Sequence, residues 1–401
     1  MREVVIAGYL RTAQSRARPN DPSRDCFYKL RADELLARLL PQLLKVSGVS
    51  PKEVDDFVVG SAFGVGEQWT YGGRNPIFLA NLPETIPAKF VDQQCGSSMA
   101  AIHTGFLEIA GGAADIVMVG GMEHMTRVPM SLLNDREQGS VSFNPHLFED
   151  EAYRQWEMNI ATNMGLTAEK LLSMTDLTRH HLDSWGVRSH RLAAQAEAAG
   201  FFSGEIMPVQ VEQADGTIMT VARDQSVRPE ATLEDMAKLK PVFSENGSMT
   251  AGNSSPLNAG ASAMLLVAKE TAEARGIKPL AVIRGIGFAG VHPTIMGSGT
   301  VPSSLKALRM AGINAEDIDF WEINEAFCIV ALYTIKKLGL DQDRVNVMGG
   351  GTAIGHALGA TGIRLVGTLA RILDWKQGRY GCATACCGGG QGVAVTIERN
   401  V

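Results

Sequence analysis

Cysteine is scarce in this chain, with six in 401 residues, too few for a disulfide framework. Proline is scarce too: 16 prolines against 43 glycines point to close-packed backbone and tight loops rather than linkers. No block of Lys and Arg occurs, and 37 basic against 43 acidic residues give a net charge of −6, which argues against general nucleic-acid binding. No apolar run approaches the ~18 residues of a membrane span; Ile116–Val119 and Ala263–Ala268 are strand-length. Residues 1–8 read straight into a strand without the apolar core of a signal peptide, and Glu398-Arg399-Asn400-Val401 carries no targeting tail, so a cytoplasmic protein is expected. What remains is 45% hydrophobic and 20% charged, which excludes disorder, collagen and coiled coil, and at this length implies about two to four lobes. Glycine, 43 of 401 or about 11%, exceeds the usual ~7%. Three of the six cysteines, Cys382, Cys386 and Cys387, crowd into six positions.

The chain repeats itself. Gly48-Val49-Ser50-Pro51-Lys52-Glu53-Val54-Asp55-Asp56-Phe57-Val58-Val59-Gly60-Ser61-Ala62-Phe63 aligns without gaps on Gly312-Ile313-Asn314-Ala315-Glu316-Asp317-Ile318-Asp319-Phe320-Trp321-Glu322-Ile323-Asn324-Glu325-Ala326-Phe327, 264 residues later. Both copies follow a helical apolar pattern, Leu35, Leu36, Leu39, Leu40 and Leu43 in one and Leu305, Leu308 and Met310 in the other. Both continue into a strand, a Gly-rich turn, a helix (Met99–Ile109; Ile363–Leu373) and a buried strand closing on Gly (Asp115–Gly121; Tyr380–Gly390). The expected organisation is a duplicated α/β chain: a first lobe at 1–122 completed by 250–275, a mainly helical insertion at 123–249, and a second lobe at 276–401. The insertion, with helices expected at Ala168–Met174 and Thr178–Ala199, suits substrate contacts; a cap that only stabilises an oligomer is the plainer alternative.

Four residues stand where chemistry is plausible. Cys95, in Gln94-Cys95-Gly96-Ser97-Ser98, precedes an apolar helical pattern, and a helix N-terminus favours thiolate over thiol. Small neighbours would let a carbonyl reach its backbone N–H, although an inert buried cysteine fits the same segment. His356 lies among six glycines in fourteen positions (349–362), in the turn corresponding to that of Cys95, so a pseudo-twofold would bring a Cys/His pair into one pocket. The alternative is a structural histidine. Cys386, before Gly388-Gly389-Gly390, could move a proton while backbone N–H groups hold an oxyanion. Cys382-x-x-x-Cys386-Cys387 lacks zinc spacing, so no metal is expected, and no Gly-Lys-Ser/Thr follows to make a phosphate loop. Asn324 replaces the Gly60 of the first repeat, a break in symmetry that a turn asparagine would also explain.

Taken together, Cys-Gly-Ser-Ser-Met-Ala, Asn-Glu-Ala-Phe, Gly-His-x-x-Gly-Ala-Thr-Gly and Cys-x-Gly-Gly-Gly-x-Gly resemble the thiolase family over essentially the whole chain. Arg127-Val128-Pro129-Met130-Ser131 and Ile295-Met296-Gly297 look most like the degradative 3-ketoacyl-CoA thiolases. The resemblance implies an α/β duplicated thiolase fold layered α-β-α-β-α. It implies ping-pong acyl transfer between 3-ketoacyl-CoA and CoA, or the reverse Claisen condensation of acetyl-CoA. Cys95 resembles the acylated nucleophile, His356 its base and Cys386 the second, acid/base cysteine. Asn324, through a water and with His356, matches the hole for the enolate, and the N–H groups of Cys95 and Gly388 that for the tetrahedral intermediate. Ser255, Arg228 and Met164 fall where the family contacts CoA; Phe243, Met296 and Phe327 fall along the pantetheine and acyl end. CoA is then a substrate, no cofactor or metal is required, and a homodimer or homotetramer is expected. The chain departs from the pattern at His356-Ala357 (usually His-Pro) and Asn258-Ala259-Gly260 (usually Asn-Asp-Gly). The rival readings are a ketoacyl synthase-like condensing enzyme, which would typically carry a second histidine in place of Asn324, and a non-catalytic acyl-CoA-binding member of the fold.

Overall fold

The computed structural model describes residues 1–128 and 143–400. Of the segments read above, Pro129-Met130-Ser131 and Val401 lie outside the described residues. The first lobe runs β1 (Val4–Arg11), β2 (Ser15–Arg16), α1 (Ala32–Ser47), β3 (Asp56–Gly60), α2 (Arg74–Leu79), β4 (Ala88–Val91), α3 (Ser97–Ala110), β5 (Ile116–His124). Then come α4 (His146–Glu149), α5 (Met158–Ala161), α6 (Met164–Ser173), α7 (Arg179–Ala198), a hairpin of β6 (Val209–Glu212) and β7 (Ile218–Val221), and α8 (Leu233–Ala237). The rest is β8 (Asn258–Ala268), α9 (Lys269–Arg275), β9 (Ala281–Gly290), α10 (Thr300–Ala311), β10 (Phe320–Ile323), α11 (Cys328–Leu338), α12 (Gly351–Ile354), α13 (Leu358–Lys376), β11 (Tyr380–Cys387) and β12 (Gln391–Arg399).

Each repeat folds the same way for the same local reasons. Gly48 and Gly312 end α1 and α10 at φ +67° and +71°, a conformation that suits glycine. Glu53 and Asp317 then accept the N–H groups of Ser50 and Asn314. Asp55 accepts the N–H groups of Asp115 and Ile116 at 2.8 and 2.9 Å, and Asp319 those of Arg379 and Tyr380, again 264 residues on, at 2.7 and 3.0 Å. The closing strand of the second repeat, β11, is shorter than the sequence suggests. It ends at Cys387, and Gly388–Gly390, with Gly389 and Gly390 at positive φ, turn the chain back into β12.

Strand alternation sorts side chains into layers. Ile116 and Met118 of β5 face the leucines of α1, whereas Val117 and Val119 face Ile102 and Phe106 of α3 and Ile363 and Leu369 of α13. On β11, Ala383, Ala385 and Cys387 face that same central pair of helices, and Cys382 and Cys386 face Leu308 of α10 and Ile329 and Val330 of α11. The order α-β-α-β-α follows, with α3 and α13 sandwiched between the strands of both lobes. Backbone bonding links the strands as β10-β11-β12-β9-β1-β8-β5-β3-β4, with β2 on β8. The strand pairing between lobes is narrow, Val5↔Val282 and Ile6↔Ala281 among the described residues. At the helix crossing, a Cβ on Gly362 would come within 2.6 Å of Met99 N, so the starts of α3 and α13 touch because that residue has none. Among the described residues, no helix is long and apolar enough to cross a membrane.

Candidate functional site

Cys95 and His356 each stand two residues before a central helix, α3 and α13. Ser98 Oγ accepts the N–H of Ile363 at 3.0 Å, joining the two helix starts. Cys95 lies in a 3-10 turn, Gln94–Gly96, entered through Gln94 at φ +51°. A non-glycine residue there carries about 1–2 kcal/mol of strain. Asp92 Oδ1 accepts the Gln94 N–H at 2.8 Å, and Ser97 Oγ accepts from Gln93 and donates to Gln94 O, holding the turn. The Gly388–Gly390 turn brings the Gly388 N–H onto the Cys95 sulfur.

The thiolate expected at this helix start is not favoured. Cys95 is buried, and loss of water pushes its thiol up to about 12, with the Gly388 N–H pulling partly the other way. Desolvation outweighs the partial charge of one helix end. Cys386, buried on β11 within electrostatic reach of Cys95, is likewise raised by burial first and by that neighbour second. Cys382 and Cys387 are buried strand residues on opposite faces.

The protonation of His356 follows from its partners. Asn324 Nδ2, a donor, lies 3.3 Å from His356 Nε2, which must therefore accept. Nδ1 then carries the proton and donates to Thr361 Oγ1 at 2.7 Å, and Thr361 passes its own hydrogen to Ala357 O at 2.9 Å. Burial, with the Arg364 charge second, pushes the imidazole down to about 3. His356 is thus a neutral base with its lone pair on Nε2, and the resting pair is thiol and imidazole, both uncharged. A test follows: since the base stays neutral down to well below its ordinary range, kcat/KM for acylation is expected to stay flat from pH 7 to about pH 5.5. An acid limb at pH 6–6.5 would overturn this protonation state.

Sequence reasoning missed the residues that hold the site. Glu325 accepts from Trp185 Nε1, Ser189 Oγ, Asn346 Nδ2 and the Thr352 N–H at 2.7–3.1 Å, tying α7 of the insertion to the loop that carries Asn324. Glu123 accepts from Ser61, Gln68, the Ala62 N–H and the Gly359 N–H, tying the ends of β3 and β5 to the start of α13. Both sit beside noted residues, but their partners lie up to 236 positions away.

Of the residues assigned to substrate, Met164, Phe243, Met296 and Phe327 share one apolar cluster, with the Phe243 and Phe327 rings 5.8 Å apart. Ser255 Oγ donates to Ala326 O at 3.1 Å, beside the Asn324 loop. Arg228 is exposed on a cavity of about 190 Å³ that it lines with Arg16, His190, Ser226, Thr352 and Pro256, the chain neighbour of Ser255.

Comparison with known proteins finds the family profile "Thiolase, N-terminal domain" over residues 4–270 and "Thiolase, C-terminal domain" over 277–399. The chain is 41% identical over 403 residues to a 3-ketoacyl-CoA thiolase of Marinobacter nauticus, covering 99% of this chain and 98% of that one. It is 40% identical to a 3-ketoacyl-CoA thiolase of Vibrio vulnificus over the full length of both. The crystal structure of the Bacillus anthracis acetyl-CoA acetyltransferase superposes with a TM-score of 0.89 at 33% identity, covering 100% of this chain and 99% of that one.

Proposed function

The chain belongs to the thiolase family, and on that premise we propose that it cleaves 3-ketoacyl-CoA with CoA, or runs the reverse condensation, through acyl-Cys95. The observation that carries this reading is the Cys95–Gly388 contact together with a neutral His356 whose Nε2 lone pair, held at rest by Asn324 Nδ2, is its basic site.

His356 Nε2 takes the Cys95 proton as the sulfur attacks the C3 carbonyl, because neither group is charged at rest. The N–H groups of Cys95 and Gly388 hold the resulting oxyanion. The C2–C3 bond then breaks, the carbonyl re-forms on Cys95, and the electron pair passes into the acetyl-CoA enolate. Asn324 and His356 stabilise that enolate, and the Cys386 thiol protonates C2. Acetyl-CoA leaves, and the thiol of a second CoA attacks acyl-Cys95 while its proton restores the thiol of Cys386. The tetrahedral intermediate then expels the Cys95 sulfur, which takes back its proton from His356, and the shortened acyl-CoA leaves. The thioester supplies the electrophile and Cys95 the nucleophile, so the chemistry requires neither metal nor redox cofactor.

In this reading Arg228, Ser255 and Met164 contact CoA, and Phe243, Met296 and Phe327 line the pantetheine and acyl path. The lobes are 1–122 with 250–275, and 276–401, around an insertion at 123–249. The protein works in the cytoplasm as a homodimer or homotetramer. The test is mass spectrometry after exposure to acetyl-CoA: an acetyl adduct on Cys95 is expected. A folded, CoA-binding protein with Cys95 unlabelled would overturn the mechanism.

A further inference from the structure

Ala357 departs from the His-Pro of the family pattern, and a buried backbone N–H comes with it. Ala357 is fully buried, and an unpaired N–H there would cost about 1–3 kcal/mol. That N–H donates to Gln14 Oε1 at 3.1 Å, across 343 positions of sequence. Gln14 is itself fixed: it is buried, its N–H donates to Asp224 Oδ1 at 2.8 Å, and its carbonyl accepts from Gln225 N–H at 2.9 Å. Asp224 in turn is held by both terminal nitrogens of buried Arg11 at 2.7 and 2.9 Å. The neighbouring amide is latched as well, since His356 N–H donates to Asn258 Oδ1 at 2.8 Å and Asn258 Nδ2 donates to Ser15 O at 2.7 Å. Both latches press on Gly355, which sits at φ +115°; a Cβ there would come within 2.7 Å of Gln14 Oε1 and of Asn258. Two side-chain amides thus hold consecutive N–H groups on either side of the imidazole-bearing Cα.

We propose that Gln14 is a positioning residue for His356, supplying through Ala357 the loop rigidity that a proline would supply covalently. The backbone admits that exchange. Ala357 has φ −74°, within the range of proline, and His356 forms a parallel bridge with Leu257, the extended conformation that a residue before proline prefers. Gln14 and Ala357 therefore form a reciprocal pair. Gln14→Leu strands a buried N–H, Ala357→Pro strands a buried carbonyl oxygen, and the double variant strands neither.

The inference rests on the acyl-Cys95 reading, and the experiment keeps the two apart. The rate of acetyl-Cys95 formation and of iodoacetamide alkylation of Cys95 is measured in the wild type, both single variants and the double variant, with circular dichroism to check folding. Wild-type protein that never acetylates sinks the function and not the latch. With acetylation intact, each single variant is expected to be slowed about tenfold, with KM nearly constant and alkylation slowed in parallel. Gln14→Leu/Ala357→Pro is expected to return to within about threefold of wild type. Single effects that simply multiply in the double variant, or a Gln14→Leu enzyme at full rate, overturn the proposal. Should Gln14→Leu fail to fold, an active double variant is itself the rescue, and an equally unfolded one overturns the proposal.

Discussion

Cys95→Ala removes both half-reactions and lowers thiolysis at least about 10⁴-fold, whereas Cys386→Ala, at about 10³-fold, removes the C2–C3 step and only slows acyl transfer. The difference follows from which bond each thiol handles. Acyl transfer from a thioester to Cys95 needs a nucleophile, the His356 lone pair and the Gly388 N–H. Breaking C2–C3 needs in addition an acid for the departing carbon, and buried Cys386, kept as a thiol by desolvation, is placed beside Cys95 to be that acid. Cys386→Ala is therefore expected to take up acetyl from acetyl-CoA at near wild-type extent while losing thiolysis, condensation and exchange of the acetyl-CoA methyl protons. Cys95→Ala does none of these. Both substitutions remove only a sulfur from a packed site, so folding should survive. Mass spectrometry, thiolysis rates and deuterium exchange on the same samples decide the matter. A Cys386→Ala enzyme thiolysing within tenfold of wild type would remove Cys386 from the proton transfer.

The second large effect is on stability. Arg364 of α13 and Glu322 of β10 form a fully buried ion pair at 2.9 Å. Among the described residues, Arg364 Nε and Nη2 and Glu322 Oε1 have no hydrogen-bond partner. Removing one member of such a pair costs about 3–5 kcal/mol, because the other charge is left unsolvated. The two removals should nevertheless differ with pH. In the wild type, burial holds Glu322 above the ordinary carboxylate value, at about 8, and the Arg364 charge is the largest influence pulling it down. The unfolded chain therefore ionises first as pH rises, and wild-type stability falls between about pH 4.5 and that raised value. Arg364→Met lifts the folded value further, so the variant tracks the wild type up to about pH 8 and its deficit widens only above it. Glu322→Gln abolishes the titration, so its deficit narrows as pH rises from about 4.5 towards 8. Denaturant midpoints at about pH 5, 8 and 9.5 test this: Glu322→Gln should lose less against wild type at pH 8 than at pH 5, and Arg364→Met should lose more at pH 9.5 than at pH 8. Parallel pH profiles would contradict it.

Local signals made the repeat legible. Gly48 and Gly312, Ser50 and Asn314, Asp55 and Asp319 each act within a few residues or on an equivalent strand, so their chemistry shows as matched letters. The placement of Cys95 and His356 before paired helices followed from the same register. What the letters did not carry was environment. Nothing near Cys95 in sequence says that the Gly388 turn and two packed lobes will strip it of water, which is why the expected thiolate is a thiol instead. Nor does Gln14 announce itself, since its acceptor role exists only because residue 357, at the other end of the chain, is not proline. Glu325 was in view as part of Asn-Glu-Ala-Phe, yet its four donors come from separate segments that only folding assembles.

The register of β1 against β8, Val4 opposite Ala268, has a consequence for birth on the ribosome. The first strand to be made cannot complete its own sheet until the strand some 264 residues later has left the exit tunnel. At about 5–20 residues per second, that is a wait of roughly 13–50 seconds with apolar Val4, Val5 and Ile6 unpaired. The carboxyl-terminal lobe waits less: Ala281 of β9 meets Arg399 of β12 118 residues later, and β11 and β12 meet as a hairpin as soon as both emerge. Nascent chains halted before Ala268 should therefore be the ones that bind chaperones, and those halted after it should begin to resist protease.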